Sequence, residues 1–153
     1  PLAFYAAYFS IRAKAFDLRI MTGDLKTQMT EFNRIKALDR AASPKDKDLM
    51  SALEVSMEMY QRGYRFVNVD IQHSEARRFS IKDGALLPPF LAIDSLGETV
   101  ADAIVAEREE RPFTSLKDLQ RRCKVSNTII DLMKELKCCG ELPEDEQMSL
   151  FGA

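Results

Sequence analysis

The sequence predicts a mainly α-helical protein with one small antiparallel β element, which places it in the α+β class. Three observations support this prediction: apolar residues recur at helical spacing in several segments, a short stretch of β-forming residues interrupts them, and helix-forming residue types dominate the composition. The 153 residues are 46% hydrophobic and 30% charged, as expected for one ordinary domain or two small ones.

The first predicted helix, residues 2–13, is apolar around most of its circumference. Such a helix is normally buried between neighbours, so we expect parts of a larger protein to pack around it. The chain begins at Pro1 rather than at Met, which also predicts a fragment. Residues 17–23 are expected to be a connection. A second helix is predicted over residues 24–38, because its apolar residues recur every three or four positions.

A third helix is predicted to begin at Ser43. Ser43 can cap the helix, Pro44 suits its first turn, and Asp46 stands where the acid of a capping box belongs. Gly63 is a natural left-handed stop for this helix.

The pattern then changes to β-forming residues. Residues 66–71 alternate in part, and residues 78–81 and 85–87 flank a Lys-Asp-Gly sequence that is typical of a hairpin turn. We therefore predict a small antiparallel sheet that ends at the two prolines 88–89.

Helices return in the last third of the chain. One is predicted over Glu98–Glu110, Ser115 opens a second capping signature, and Ser126 can cap a last helix that ends before Gly140. From residue 141 onward the chain is acidic and aperiodic, so we expect a flexible tail.

Charge and cysteine content exclude several classes of function. The net charge is -2, and residues 1–83 carry 14 basic against 11 acidic residues while residues 84–153 carry 8 against 13. A nucleic-acid contact must therefore rest on local geometry rather than on a global basic field. Three cysteines and the single His73 fit neither a disulfide framework nor a zinc site, so free thiols in a reducing cytosol are expected. No apolar run is long enough to predict a membrane span.

Residues 89–105 carry the first informative motif, which resembles a helix-hairpin-helix unit. A short helix start leads into the loop 93–97, and a helix containing the small Ala101 follows. Gly97 lets the backbone approach a DNA strand closely, and amides at the helix start lack intrahelical acceptors and can donate to a phosphate. The residues predicted to contact DNA here are Ser95, Leu96, Gly97, Thr99 and Val100.

One residue departs from this pattern. Glu98 places an acid where many such hairpins have Lys or Arg, so we expect its side chain to point away from DNA. The alternative interpretation of the segment is a plain corner between two helices, with Gly97 as a cap.

A second, weaker copy of the motif follows. Arg121, Arg122 and Lys124 precede residues 125–128 and a helix, but the glycine is missing. We predict that these three cations contact DNA beside the first hairpin. A solvated charged loop remains the alternative.

The acidic terminus contains a third motif, which is similar to the bacterial sliding-clamp-binding pentapeptide, Gln-x-Ser/Asp-Leu-Phe. The matching residues are Gln147, Met148, Ser149, Leu150 and Phe151. Leu150 and Phe151 would anchor in an apolar pocket while Gln147 contacts its edge. Alternatively, the two apolar residues fold back onto the core of this chain.

The chain resembles the C-terminal region of the PolC-type DNA polymerase III alpha chain. The resemblance is carried by the hairpin, the terminus and residues 1–9, 63–70 and 87–93, which follow one another in the same order as in that family. The resemblance implies that residues 1–63 end a fingers region. It implies a tandem-hairpin domain that binds primer-template duplex over residues 64–140, and a tail with the clamp motif over residues 141–153.

The resemblance also implies a parent enzyme, a DNA-directed DNA polymerase with an associated 3'-5' exonuclease. Its catalytic carboxylates and their Mg²⁺ would belong to the palm upstream, so no cofactor is expected here. Asp46 and Asp48 form the chain's one Asp-x-Asp, but they lie in the first turn of a predicted helix, where acids favour the helix dipole.

The implied partners are duplex DNA, the bacterial sliding clamp, and the palm and fingers of the same polymerase. The implied location is the bacterial cytoplasm, at the nucleoid and replisome. A free-standing adaptor of DNA repair with the same two binding elements is the alternative. Exposure of Phe4, Tyr5, Tyr8 and Phe9 would favour the polymerase piece over such an adaptor.

Overall fold

The computed structural model describes residues 1–146, which contain seven α-helices and a two-stranded antiparallel sheet. The predicted class, mainly α with a small β element, is confirmed. Short 3-10 segments lie at Ala13–Ala15, Asp39–Ala41 and Phe90–Ala92. In chain order the elements are α1 (Leu2–Ile11), α2 (Leu18–Met21), α3 (Leu25–Leu38), α4 (Pro44–Gln61), β1 (Ser80–Lys82), β2 (Ala85–Leu87), α5 (Glu98–Glu110), α6 (Leu116–Cys123) and α7 (Asn127–Glu135).

Local capping fixes where the helices begin. Ser43 and Asp46 form the complete capping box that the sequence predicts for α4, and the Asp24 carboxylate accepts from the Thr27 amide at the start of α3. The predicted connection over residues 17–23 is different: it contains α2, because Asp17 caps this single turn by accepting from the Ile20 amide.

Helix α1 is only partly buried. Tyr5 and Phe9 are buried in the core of this chain, Tyr8 is half-buried, and Phe4 and Ile11 are 64% and 81% exposed. The expectation of exposed aromatic residues is therefore met at Phe4, whereas Tyr5 and Phe9 contradict it.

One aromatic cluster joins the two halves of the chain. Phe9 and Phe16 from the first half pack edge-to-face on Phe66, with ring centroids 4.9 and 4.8 Å away, and Phe79 packs on Phe16 at 5.1 Å. Because this cluster crosses residue 63, residues 10–16 are held close to the second half of the chain. The domain boundary at residue 63 stays a prediction.

The sheet is smaller than the sequence predicts. The hairpin of β1 and β2 is confirmed, with Asp83 and Gly84 both at positive φ in the turn. Residues 66–71 form no strand and pair only through a single bridge from Phe66 to Leu86. Polar side chains take the place of a ladder there, since the Asn68 amide donates to the carbonyl oxygens of residues 136 and 137.

Residues 141–146 correct the expectation of a flexible tail from residue 141 onward. The Pro143 and Glu144 carbonyl oxygens accept from the Leu116 and Lys117 amides at 2.8 and 3.1 Å, and Glu144 also pairs with Lys134. These amides begin α6 and have no acceptor within the helix. They therefore bind residues 143–144 and hold this segment against the body of the protein.

Candidate nucleic-acid interface

The first hairpin consists of the 3-10 turn Phe90–Ala92, the loop 93–97 and helix α5. Its apolar residues anchor it, because Phe90 and Ile93 are almost completely buried and Leu96 is 4% exposed. Ala101, in the first turns of α5, is fully buried. Between these anchors, residues 94, 95, 97, 98 and 99 remain exposed. The buried apolar residues thus hold the loop against the core, while the exposed residues face solvent.

Gly97 is required neither by backbone conformation nor by packing within this chain. Its φ is -79° and its ψ is 169°, which any residue adopts, and a Cβ atom added there would meet no atom within 4 Å. Ser95 instead occupies the left-handed region, with φ 65°. Gly97 is the N-cap of α5 and, having no side chain, supplies no acceptor to the first amides of the helix. Within residues 1–146, the absence of a side chain at this position therefore leaves open space beside the start of α5.

The start of α5 is the open helix terminus of this region. The amides of Glu98, Thr99 and Val100 have no acceptor among residues 1–146, and the first intrahelical bond runs from the Ala101 amide to Gly97. By contrast, the first amides of α6 bind Ser115 and residues 143–144. Three aligned donors at the positive end of a helix dipole can bind an anionic oxygen.

Arg77 lies between two acids at the start of this helix, Asp102 and Glu98. Its guanidinium forms two hydrogen bonds with Asp102, at 2.6 and 3.1 Å, and lies 3.5 Å from the Glu98 carboxylate. The bonds to Asp102 raise the pKa of Arg77, and they hold the pKa of Asp102 below its usual value. Glu98 therefore lies in the field of a cation. Sequence reasoning missed Arg77, because 21 positions separate it from Glu98.

Two open grooves flank the loop. The first, with a volume of about 520 Å³, is lined by the loop, by residues 13–19, by the first turns of α4 and by residues at the end of α7. The second, about 730 Å³, is lined by residues 10–15, Arg77, Leu91 and Glu98, among others. Lys14 lines both grooves. The exposed loop thus adjoins cations that come from the first half of the chain.

The second hairpin joins α6 to α7. Lys124 lies in its turn with φ 57°, so a lysine adopts the left-handed conformation where the expected glycine is missing. The Ser126 hydroxyl caps α7 by accepting from the Ile129 amide, which leaves this helix less open than α5.

Arg122 corrects the predicted set of DNA-contacting residues. Its side chain is 8% exposed and donates to the carboxylates of Glu107 and Asp118 and to three backbone carbonyl oxygens. All its donors are therefore used inside the protein. Burial by itself would raise the pKa of Asp118, but the Thr114 amide and Arg122 outweigh it and lower that pKa. Arg121, which is 66% exposed, and Lys124 remain accessible.

A family model for the helix-hairpin-helix motif matches residues 63–147, which is more than half of the chain. The chain belongs to the helix-hairpin-helix motif family.

Curated relatives support the resemblance to PolC-type chains. A protein named DNA polymerase III PolC-type from Caldanaerobacter subterraneus is 42% identical over 99% of this chain, and another of that name from Streptococcus suis is 45% identical over 99%. A third, from Streptococcus pyogenes, is 43% identical over 99%. The aligned region covers 11%, 10% and 10% of these relatives, so the chain spans about a tenth of their length.

The described residues do not fit the Mg²⁺ that the resemblance to PolC-type chains implies. Within residues 1–146, no three His, Cys, Asp or Glu side chains come together in a way that could hold a metal ion. Asp46 serves the capping box and lies 3.7 Å from Arg34. We therefore derive no catalytic step from this part of the chain.

The three cysteines are buried free thiols. Burial raises the pKa of Cys123 and Cys139 to about 11 and that of Cys138 to about 12, so all three are protonated near neutral pH.

His73 is exposed and lies 2.7 Å from the Asp70 carboxylate, which Lys82 also contacts. No helix within the described range is long and apolar enough to cross a membrane. The predicted clamp motif, residues 147–151, lies outside the described residues.

Proposed function

We propose that this chain binds the sugar-phosphate backbone of primer-template duplex DNA through its first hairpin, as a non-catalytic part of a PolC-type replicative DNA polymerase. The observation that carries the proposal is the open start of α5, where three amides without acceptors face solvent beside Gly97. Similarity to PolC-type chains over 99% of the sequence supports the context.

Backbone donors contact phosphates and carry no information about bases. Binding through α5 is therefore expected to be independent of DNA sequence. It also needs few cations, which agrees with a chain whose net charge is -2. Ser95, Gly97 and Thr99 are exposed around the proposed phosphate, whereas the buried Leu96 contributes by holding the loop.

The test is to measure the affinity of the chain for several duplexes of equal length and different sequence. Gly97→Val is expected to weaken binding to all of them by a similar factor, because its branched side chain keeps a strand away from the amides. Ala106→Val is the matched control, since Ala106 is exposed on the same helix but distant in sequence from the loop. A loss that depends on the DNA sequence would indicate base recognition and contradict the proposal.

We further propose that residues 147–151 tether the polymerase to the bacterial sliding clamp and so support processive synthesis. The proposal depends on the match of Gln147, Ser149, Leu150 and Phe151 to the clamp-binding pattern. Leu150 and Phe151 would supply most of the affinity as buried apolar anchors.

Titration of the clamp with three forms of the chain tests this proposal. Replacing both Leu150 and Phe151 by Ala is expected to abolish clamp binding while leaving duplex affinity unchanged. Met148→Ala is the matched control, because position 148 is the variable position of the pattern. Clamp affinity that survives the double substitution would rule out this role for the motif.

Nucleotide transfer, Mg²⁺ and the 3'-5' exonuclease are proposed to reside in other parts of such a polymerase, in the bacterial cytoplasm. The alternative, a free-standing repair adaptor, has less support. The three relatives described above match 99% of this chain, including residues outside the hairpin motif, and are named as polymerases.

A further inference from the structure

We infer that the groove of about 520 Å³ beside the first hairpin is a second phosphate-binding site, in which Lys14 and Lys45 bind the DNA backbone held by the loop. This inference rests on the proposed function and adds residues that lie outside the helix-hairpin-helix match at residues 63–147.

Geometry places the two lysines next to the hairpin. The 3-10 turn Ala13–Ala15 packs near the 3-10 turn Phe90–Ala92, and Lys45 stands in the first turn of α4. Both lysines line the same groove as residues 94–97 of the loop. A strand that contacts the α5 amides would therefore continue along a wall that carries positive charge.

Both lysines are available for an external anion. Each is exposed, and neither has an ion-pair or hydrogen-bond partner within residues 1–146. Arg19, a third cation of the groove, is instead paired with Glu135 at 2.9 Å. An unpaired ammonium group has no internal contact to lose when it forms a charge-assisted hydrogen bond with a phosphate.

Two acids also line the groove. Asp17 is committed to capping α2, where it accepts from the Ile20 amide. Asp94 is the remaining acid of the lining. Because Arg19 is paired with Glu135, the two unpaired lysines, Lys14 and Lys45, stand against Asp17 and Asp94, and the groove is formally neutral. The lysines therefore attract a DNA backbone at short range, where an ammonium group forms a charge-assisted hydrogen bond with a phosphate oxygen.

The salt dependence of binding tests the inference, because each phosphate contact made by a cation adds about 0.9 to the slope of log affinity against log salt concentration. Lys14→Gln with Lys45→Gln is expected to reduce the magnitude of this negative slope by about 1.8. With equal affinities at 1 M salt, that difference corresponds to duplex binding about 60-fold weaker at 0.1 M salt. Lys26→Gln with Lys36→Gln removes the same charge from exposed positions on α3 that do not line either groove. The control is expected to leave the slope nearly unchanged.

The outcomes distinguish this inference from the proposed function. If Gly97→Val weakens binding while the Lys14 and Lys45 double variant keeps the wild-type slope, the groove does not bind DNA and the hairpin proposal stands. If both lysine pairs lower the slope equally, the effect is general charge and the inference fails. A wild-type chain that does not bind duplex at all would overturn both.

Discussion

Substitution of Gly97 should separate the stability of the fold from its affinity for DNA. A Cβ atom at this position meets nothing within 4 Å, and the backbone conformation suits any residue. Replacing Gly by Ala restricts the unfolded chain and stabilises by about 0.4–1 kcal/mol. Ala is a poorer N-cap than Gly, which costs about 0.5–1 kcal/mol. Because these effects oppose each other, the free energy of unfolding should change by less than about 1 kcal/mol.

The expected effect on DNA binding is larger. A hydrogen bond from an amide to a charged phosphate oxygen contributes about 1.5–3 kcal/mol. If a side chain at position 97 prevents one such bond at Glu98 or Thr99, duplex affinity falls by about 10- to 150-fold. Gly97→Val should lie near the upper end of this range, and Gly97→Ala near the lower end.

Two measurements on the same preparations check this reasoning. Chemical denaturation gives the free energy of unfolding, and fluorescence anisotropy of a labelled duplex at 0.1 M salt gives the affinity, with Ala106→Val as the control. Wild-type affinity in Gly97→Val would refute the idea that a strand approaches these amides. A loss of stability that accounts for the loss of binding would refute the idea that Gly97 is dispensable for the fold.

Two further predictions concern the second hairpin. Arg122→Ala should lower the free energy of unfolding by about 3–5 kcal/mol, because it removes the buried cation at Oδ2 of the fully buried Asp118 and leaves only the exposed Arg111 and Arg121 at Oδ1. Arg121→Ala, at a side chain that is 66% exposed, should cost at most about 1 kcal/mol; equal losses in denaturant titrations would contradict the assigned burial. Since the folded-state pKa of Asp118 is lowered, its carboxylate contributes stability above the unfolded-state pKa of about 3.9, and this contribution is lost as the pH falls through the folded-state value. Asp118→Asn should therefore reduce stability at pH 7 and flatten its decline below about pH 4, and an unchanged acid limb in thermal unfolding would show that other carboxylates dominate.

Helix starts were predictable because a cap acts over three residues. Ser43 with Asp46, Ser115 with Asp118 and Ser126 with Ile129 all bond as local spacing suggests. The missed helix α2 also has such a cap, but Asp17 precedes only four helical residues, which is too short for an apolar stripe.

Local sequence patterns did not predict hydrogen bonds between segments that are far apart in the chain. Residues 66–71 have β-forming composition, yet Asn68 bonds to residues 136–137 and removes the segment from the sheet. Residues 143–144 look like an acidic tail, yet they supply acceptors that the start of α6 needs. In each case the partner is more than 20 residues away, so propensity and periodicity carry no trace of it.

The sequence by itself determined the helical class, the β-hairpin turn, the open hairpin at Gly97 and the relationship to PolC-type polymerases. The first three depend on residues close together in the chain, whereas the relationship depends on segments spread along its whole length. Tertiary structure alone decided which cations lie beside the hairpin. It brings Lys14, Lys45 and Arg77 close to the loop and buries the side chain of Arg122. The physical reason is that a charge acts through its distance in space and its exposure to water, and only folding sets both.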